Sequence, residues 1–593
     1  MALTDLPFPV FLDIVLLLTP ADILRCRRVC SDWRQALTRQ DLCVSLVLAH
    51  FPRAREARLL RRWLADGDTR PDGYQDGLDE TDWAAVYARL ARRYFHLGAA
   101  RPRSVTKVPS LKESKALWGV APWNRFLKLE SKAAEFQHWD PVWTFAPEEG
   151  LLVYPAAGSD DGKQWRYRAR HLETGVEVDV PFDTDKKIVR RVRISDSVLL
   201  FEWCEERGSH PLSTTETAHR HYATAYDLVR HGPSVLLPRR DAATGPRRRS
   251  CYSFTLRAEW KIHFLGMPLS HQDRFFSTHN RSHYAVYIWQ PTRSPWGEDG
   301  PLERLVVWEL PPAKPHRPPV GRHGRAPDCG DDGPRVLLRL VNADLETWGV
   351  RQRDTPSLQN LFLDTTTWDD TTQTACGHVY VVEETHRWAA GPHSSHTPPR
   401  LHRVQATAIP LVGYGPRYLE ECDATGRLCV SCWNRTTTCI RQNGRGPPTK
   451  PTLAPCWRHD DFPFVTVSQV LDADAGVRIS ARQCFKLRRL SVQIPPETRR
   501  VFENDHQRER DKRPRSGGWE ITRAHFAGMT EWSDMEIEAL EGMHERLDGP
   551  NRKDEVPFSN NLWNSLLGKG FISGSERWVV GEDAVGDITV VCF

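Results

Sequence analysis

The sequence predicts an α+β multidomain chain. A small three-helix module comes first, a helical linker follows, and a large all-β domain completes it, with a β-propeller as the best fit. Three observations predict this. Residues 10–18 are apolar at helical spacing, helical spacing continues through 41–99, and from about residue 125 short valine-rich runs alternate with Gly, Asp and Asn turns. The boundaries read as 1–45, 46–124 and 125–593. A chain of 593 residues exceeds what one compact core holds. Its 40% hydrophobic and 10% aromatic content, with 22 tryptophans, is that of a folded, sheet-rich protein.

In the N-terminal module, Val10, Ile14, Leu17 and Leu18 fall at i, i+4, i+7 and i+8, which is one helical face. Phe11, Val15 and Leu16 form a second apolar face, and Asp13 is the only polar residue from Val10 to Leu18. A helix apolar on both faces must be covered on both faces. Thr19 is placed to cap a second helix, with Pro20 in its first turn and Asp22 near its positive end. That helix carries Ile23, Leu24 and Val29. Ser31 is placed to cap a third, bearing Trp33 and Leu37. Three helices this short bury too little surface to cover the first one alone. Either the rest of the chain covers its outer face or a partner does.

The order Leu6-Pro7, Ile14, Leu18, Asp22-Ile23, Val29-Cys30, Trp33 resembles the F-box motif, with matching spacing and no gaps. Pro9 departs from it, standing where an acidic residue often follows Leu-Pro-x. The resemblance covers about the first forty residues. It implies that Leu6, Pro7, Val10, Ile14, Leu17, Leu18, Ile23, Val29, Cys30 and Trp33 serve a groove of a Skp-family adaptor, and through it a cullin, by helix-in-groove docking. Some of these anchors, Val29 and Trp33 among them, have the alternative of serving the module's own core. The chain as a whole also resembles a group of filamentous-fungal F-box proteins, on the stretch EWKIHFLGMPLSHQDRFF and the ending RWVVGEDAVGDITVVCF.

Trp83, Val86, Tyr87, Leu90 and Tyr94 give the linker its helical stripe, and 66–80 reads as a Gly/Asp-rich turn region. The linker is expected to act as a rigid spacer that holds the first module away from the β domain. RPRSVTKV reads as the entry to that domain. Within the domain, Arg170-His171-Leu172, Tyr226-Asp227-Leu228 and Trp308-Glu309-Leu310 resemble the strand-closing element of WD-type blades. Their uneven spacing is explained by long Pro/Gly/basic loop insertions such as 311–334. A pair of β-sandwiches is the alternative architecture. EWSDMEIEALEGMHERL is the one clear late helix.

Chemistry-bearing motifs are sparse. No nucleotide loop, G-x-S-x-G elbow or H-E-x-x-H is present. Cys422, Cys429, Cys432 and Cys439 offer a zinc-like spacing, but the inner pair lies in the apolar run LCVSCW, where residues three apart on a strand face opposite sides. Ordinary strand cysteines are therefore expected, and no metal and no cofactor. The net charge of +5 is near balance, so nothing calls for nucleic acid. No apolar run reaches the ~20 residues of a membrane span. The start has no basic leader, which with 14 scattered cysteines suggests free thiols in the cytoplasm and/or nucleus. The basic runs at 247–249 and 508–515 have two readings, nuclear import signals or solvated loops.

Three functions compete: a non-catalytic substrate receptor of an SCF-type ubiquitin ligase holding an unknown client, an F-box scaffold that promotes no ubiquitination, and an enzyme. The missing catalytic constellation disfavours the last. Arg190, Arg191, Arg193, Arg274 and Arg281 are the residues expected to contact an acidic or phosphorylated client if they converge on one loop-built face. Their alternative is scatter around blade edges for solubility.

Overall fold

Helices α1 (Phe8–Leu16), α2 (Pro20–Cys26) and α3 (Ser31–Leu37) form the first module of the computed structural model; α4 (Gln40–His50), α5 (Arg55–Ala65) and α6 (Trp83–Gly98) follow. The structure describes residues 3–65, 81–110, 123–129, 132–138, 141–157, 165–212, 216–231, 251–263, 267–268, 274–290, 300–312, 333–353, 358–364, 368–369, 374–375, 377–388, 400–411, 418–423, 465–472, 475, 477–484, 486–493, 555–557, 560–567, 571–583 and 585–593. The turn region 66–80, the late helix expected at 531–547 and Cys429, Cys432 and Cys439 lie outside these residues.

Among the described residues, six antiparallel sheets of four strands follow one another. Blades 1 to 5 occupy 144–179, 187–261, 274–341, 358–423 and 465–557, each with its strands paired in chain order. Blade 6 takes its first three strands from Ile572–Gly574, Trp578–Glu582 and Ile588–Cys592. Its fourth is Ser104–Val108, which pairs with Ile588–Cys592 from Ser104 opposite Cys592 to Val108 opposite Ile588. The β domain thus begins upstream of the boundary expected at 125. The first strands of blades 6 and 1 lie side by side, as do those of blades 1 and 2, 3 and 4, and 5 and 6. Among the described residues these six sheets are blades of a propeller, and a strand arriving from the helical segment completes the last of them.

Alternating apolar residues fill the spaces between blades. Tyr167, Phe182 and Phe201 join blades 1 and 2, with Phe182 and Phe201 stacked at 4.1 Å. Tyr284, Trp260 and Trp308 join blades 2 and 3, and Trp143, Phe145 and Trp578 join blades 1 and 6. One hydrogen bond recurs. The N–H of Leu172 donates to Gly150 O (2.8 Å), that of Leu228 to Ser197 O (2.8 Å), that of Leu310 to Ser282 O (2.7 Å) and that of Leu411 to Gly377 O (3.1 Å). In each case a leucine in the last part of the third strand or just after it closes onto the residue just before the second. The three WD-like elements read from the sequence therefore occupy one equivalent position, and Leu411 supplies a fourth.

Helix α7 (Asn342–Trp348) follows blade 3, and α8 (Asn560–Leu567) lies against blade 6. A Cβ on Gly581 would come within 2.1 Å of Leu566 O, so only glycine lets α8 lie this close to its strand. A single apolar core runs from Phe11 and Val15 through Leu46, Tyr87 and Leu90 to Val579, Val591 and Phe593. The first module, the linker and blade 6 are therefore packed together. The linker joins the two parts through a shared core instead of spacing them apart as expected.

Two outcomes follow from this closure and burial. Deleting Asp587–Phe593 removes the strand between Trp578–Glu582 and Ser104–Val108, so the melting midpoint should fall and protease should cleave the region 100–110; an unchanged melt would contradict ring closure through this strand. Burial, joined at His171 by the charges of Arg230 and Arg577, pushes His171 and His279 down to about 4. Their unfolded pKa lies near 6.5. The unfolded chain therefore binds more protons below that value, and stability should be intact above pH ~6.5 and decline toward pH ~4. Melting against pH should be flatter in that window for H171Q/H279Q.

Candidate functional site

The N-terminal module is built as its sequence periodicity requires. The inner face of α1 is buried, with Phe11 4% exposed and Val15 fully covered. Each such side chain contributes roughly 1.5–3 kcal/mol. Thr19 caps α2: its Oγ accepts from the Asp22 N–H (3.2 Å) and donates to Asp22 Oδ2 (2.7 Å). The cap of α3 is Cys30, in extended backbone, and not Ser31; Ser31 begins the helix and donates to Asp32 Oδ1 (3.1 Å).

The outer face of α1 remains open. Val10 is 47% exposed and Leu17 86%, seven residues apart and so two turns along the same side. Ile14, between them, is half-buried, as are Leu6, Leu18 and Trp33; Pro7 and Cys30 are exposed. Val29 is 68% exposed and so does not belong to the core. Ile23 is fully buried among the helices. It holds the module together and presents nothing to the surface, which takes it out of the set of contact residues. The remaining nine anchors all retain exposure. Large apolar side chains as open as Leu17 and Val29 in a packed helical module mark an interaction surface.

The family model of the F-box domain matches residues 3–45. The chain carries an F-box. No curated protein matches the sequence. Among solved structures, the β-propeller domain of the Trilobed protease from Pyrococcus furiosus is similar at 8% identity and a TM-score of 0.23, covering 61% of this chain and 81% of that one. So slight a likeness carries no argument; the propeller assignment rests on the sheet order and the adjacency of the blades.

The F-box is locked to the rest of the chain by arginines that reach main-chain carbonyls and buried carboxylates. Arg27 donates to the carbonyls of Ala84 (3.1 Å) and Leu37 (3.0 Å) and lies over the Tyr87 ring. His50 Nδ1 and Tyr87 Oη are 2.9 Å apart. Farther along α6, Arg93 is buried and forks onto Glu56 (2.8 and 3.1 Å) while also meeting Glu576 of blade 6 (3.0 Å). Tyr94 donates to the other oxygen of Glu576, and the Arg55 N–H donates to the first (3.1 Å). Burial alone would raise the Glu56 carboxyl, but the charge and hydrogen bonds of Arg93 hold it well below its ordinary range. Burial, with Glu56 nearby, pushes Glu576 up. Arg58 adds a contact to Asp472 of blade 5 (3.6 Å) and Arg55 one to Glu148 of blade 1 (3.2 Å).

Among the described residues, Arg190, Arg191, Arg193 and Arg281 do not form an open cationic face. Arg190 and Arg191 are each 2% exposed. Arg191 donates to Ser277 Oγ (2.7 Å) and Phe275 O (2.9 Å), bridging blades 2 and 3. Arg190 meets His221 (2.8 Å) and stacks on Phe275. Arg193 is half-buried beside Glu202, and burial lowers its pKa. Arg281 is exposed and its carbonyl accepts from Arg257 (2.7 Å). Arg274 lies on the first strand of blade 3. For Arg191 the reason is local: from the first strand of blade 2 its guanidinium finds a carbonyl of blade 3 within reach. Among the described residues, no group of three His, Cys, Asp or Glu could hold a metal, and no helix is long and apolar enough to cross a membrane.

Replacing Arg93 with Met leaves Glu56 and Glu576 buried without their cation. The expected loss is about 3–5 kcal/mol, read as a lower denaturant midpoint with early protease cleavage of the helical segment. E56Q in the same background should recover part of it by removing one stranded charge.

Proposed function

We propose that the chain is a substrate-receptor subunit of an SCF-type cullin-RING ubiquitin ligase. Its F-box docks a Skp-family adaptor and its propeller holds a client protein. The observation that carries this reading is the outer face of α1, where Val10 and Leu17 stand open beside half-buried Ile14 and Leu18 in a module otherwise packed on its own core. Helix-in-groove docking requires such a stripe, and Pro7, Val29 and Cys30 extend it. The propeller supports the second half of the reading, since a rigid ring that presents loops is a suitable client platform. No reacting group is needed: the catalytic gain is proximity between the client and the ubiquitin-charged enzyme. Cys26, Cys30, Cys43, Cys204 and Cys592 are free thiols, which suits a reducing compartment such as the cytoplasm or nucleus.

The test compares surface with core. L17D and V10D alter exposed side chains, so the fold should survive. Each should weaken adaptor binding about 30-fold or more in a surface-plasmon titration, the loss of a hot spot of about 2 kcal/mol. I23A should instead lower the melting midpoint, at a cost of about 2–5 kcal/mol. Undiminished adaptor binding by L17D/V10D would defeat the reading. Adaptor binding with no client ubiquitinated by the reconstituted ligase would identify the scaffold alternative.

A further inference from the structure

Where α6, the strand Ser104–Val108 and blades 1 and 6 meet, the chain forms a half-open cavity of about 240 Å³. Five arginines line it: Arg89 and Arg93 from α6, Arg103 just before the closing strand, Arg170 from blade 1 and Arg577 from the hairpin of blade 6. Two side-chain carboxylates line it with them, Glu56 and Glu173, and so does Phe593, the last residue of the sequence. The charges are unevenly matched. Arg93 is answered by Glu56 and by Glu576 behind it. Glu173 is shared between Arg89 (3.7 Å) and Arg577 (3.5 Å), and Arg170 has Glu177 at 3.6 Å on the surface.

Arg577 is the telling group. It is 7% exposed, and its guanidinium lies 4.1 Å over the Trp578 ring. Its Nη1 reaches Glu173 only at 3.5 Å, and its Nη2, shut off from solvent, meets no acceptor. Burial, then the charges of Arg93 and Arg55, push its pKa down to about 10. A buried guanidinium left this short of acceptors is rare unless something else supplies them.

We propose that this cavity binds a small, multiply charged oxyanion of the phosphate class, with Arg577 at its floor and Arg103 and Arg170 at its rim. Guanidinium forks match phosphate oxygens in pairs, and a slight turn of the Arg577 head group brings Nη2 to bear. The volume suits a small molecule and not a folded segment. A ligand here would touch α6, the approach to the closing strand and two blades at once, and so would stiffen the helical segment against the ring. The site is independent of adaptor docking.

The experiment is calorimetric titration of the full chain with inorganic pyrophosphate, with the melting midpoint followed in parallel. One saturable site is expected, weaker at higher salt, with a midpoint that rises with ligand. R103A/R170A, at the accessible rim, should weaken binding about tenfold or more, a change of about 1.4 kcal/mol, while keeping the fold. E173Q should bind severalfold tighter, because the carboxylate that now occupies Arg89 and Arg577 is gone. If these arginines only balance charge within the fold, E173Q would lose stability and gain no affinity. The proposal is overturned by no saturable binding at millimolar pyrophosphate, by unchanged affinity in R103A/R170A, or by E173Q binding no tighter. It is overturned also if a phosphoserine peptide binds and pyrophosphate does not.

Discussion

Arg93 is the group on which the two halves of this molecule depend. It sits in the middle of α6 and satisfies Glu56 of α5 and Glu576 of blade 6 at once. A guanidinium can do this because its donors lie in a fixed planar fork, which serves a bidentate carboxylate on one side and a third oxygen on the other. A lysine would be a point charge with less geometric reach. The burial of three ionised groups is costly, and it is tolerable here because nearly every donor and acceptor in the cluster is matched, down to the Tyr94 hydroxyl and the Arg55 N–H. Such a network stabilises little by itself. It does make one arrangement of helix and hairpin far better than any neighbouring one.

That arrangement decides what the F-box can do. The apolar core running from Phe11 to Phe593 gives the junction its cohesion, and the Arg93 cluster gives it its register. Arg27 carries the same logic one step outward by tying α2 to α6 through main-chain carbonyls. The outer face of α1 is thereby held in one orientation relative to the ring, instead of swinging on a tether. A fixed orientation between two binding surfaces raises the effective concentration of what one holds at the other.

Much of the fold was legible in the residues. The period of α1 separated Phe11 and Val15 from Val10, Ile14 and Leu17, and the structure buries the first pair and leaves the others wholly or partly open. Thr19 announced its cap. The elements ending at Leu172, Leu228 and Leu310 marked equivalent points of three blades, although loop insertions hid the period; Leu411 escaped notice because Ile409-Pro410 precedes it, with no ring or charge to mark it. SVTKV passed for a linker, yet its β-branched residues were a strand signal lacking only a partner, and that partner lies at the far end of the chain. The arginines stayed open between two readings for a different reason. Residue type states a charge but not its burial, and Arg191 can be assigned only once the neighbouring blade supplies its carbonyl. Ile23 looked like a docking anchor because motif spacing does not distinguish a module's core from its surface.

The ring-closing strand also orders events in time. Arg103 donates its main-chain N–H to none but a residue made hundreds of codons later, the carbonyl of Cys592. During synthesis the segment 104–108 must wait with one edge bare while five blades emerge, and such edges are where chains stick to one another. Loop-closure entropy over so long a separation makes this the slow step of assembly. Lys107, with its ammonium beside Asp583 in the finished ring, is the kind of residue that keeps a bare edge soluble in the meantime. The helical segment waits too, because Val579, Val591 and Phe593 complete its core and Glu576 its buried charge cluster. The open face of α1 and the ring therefore reach their final form together, at the end of synthesis.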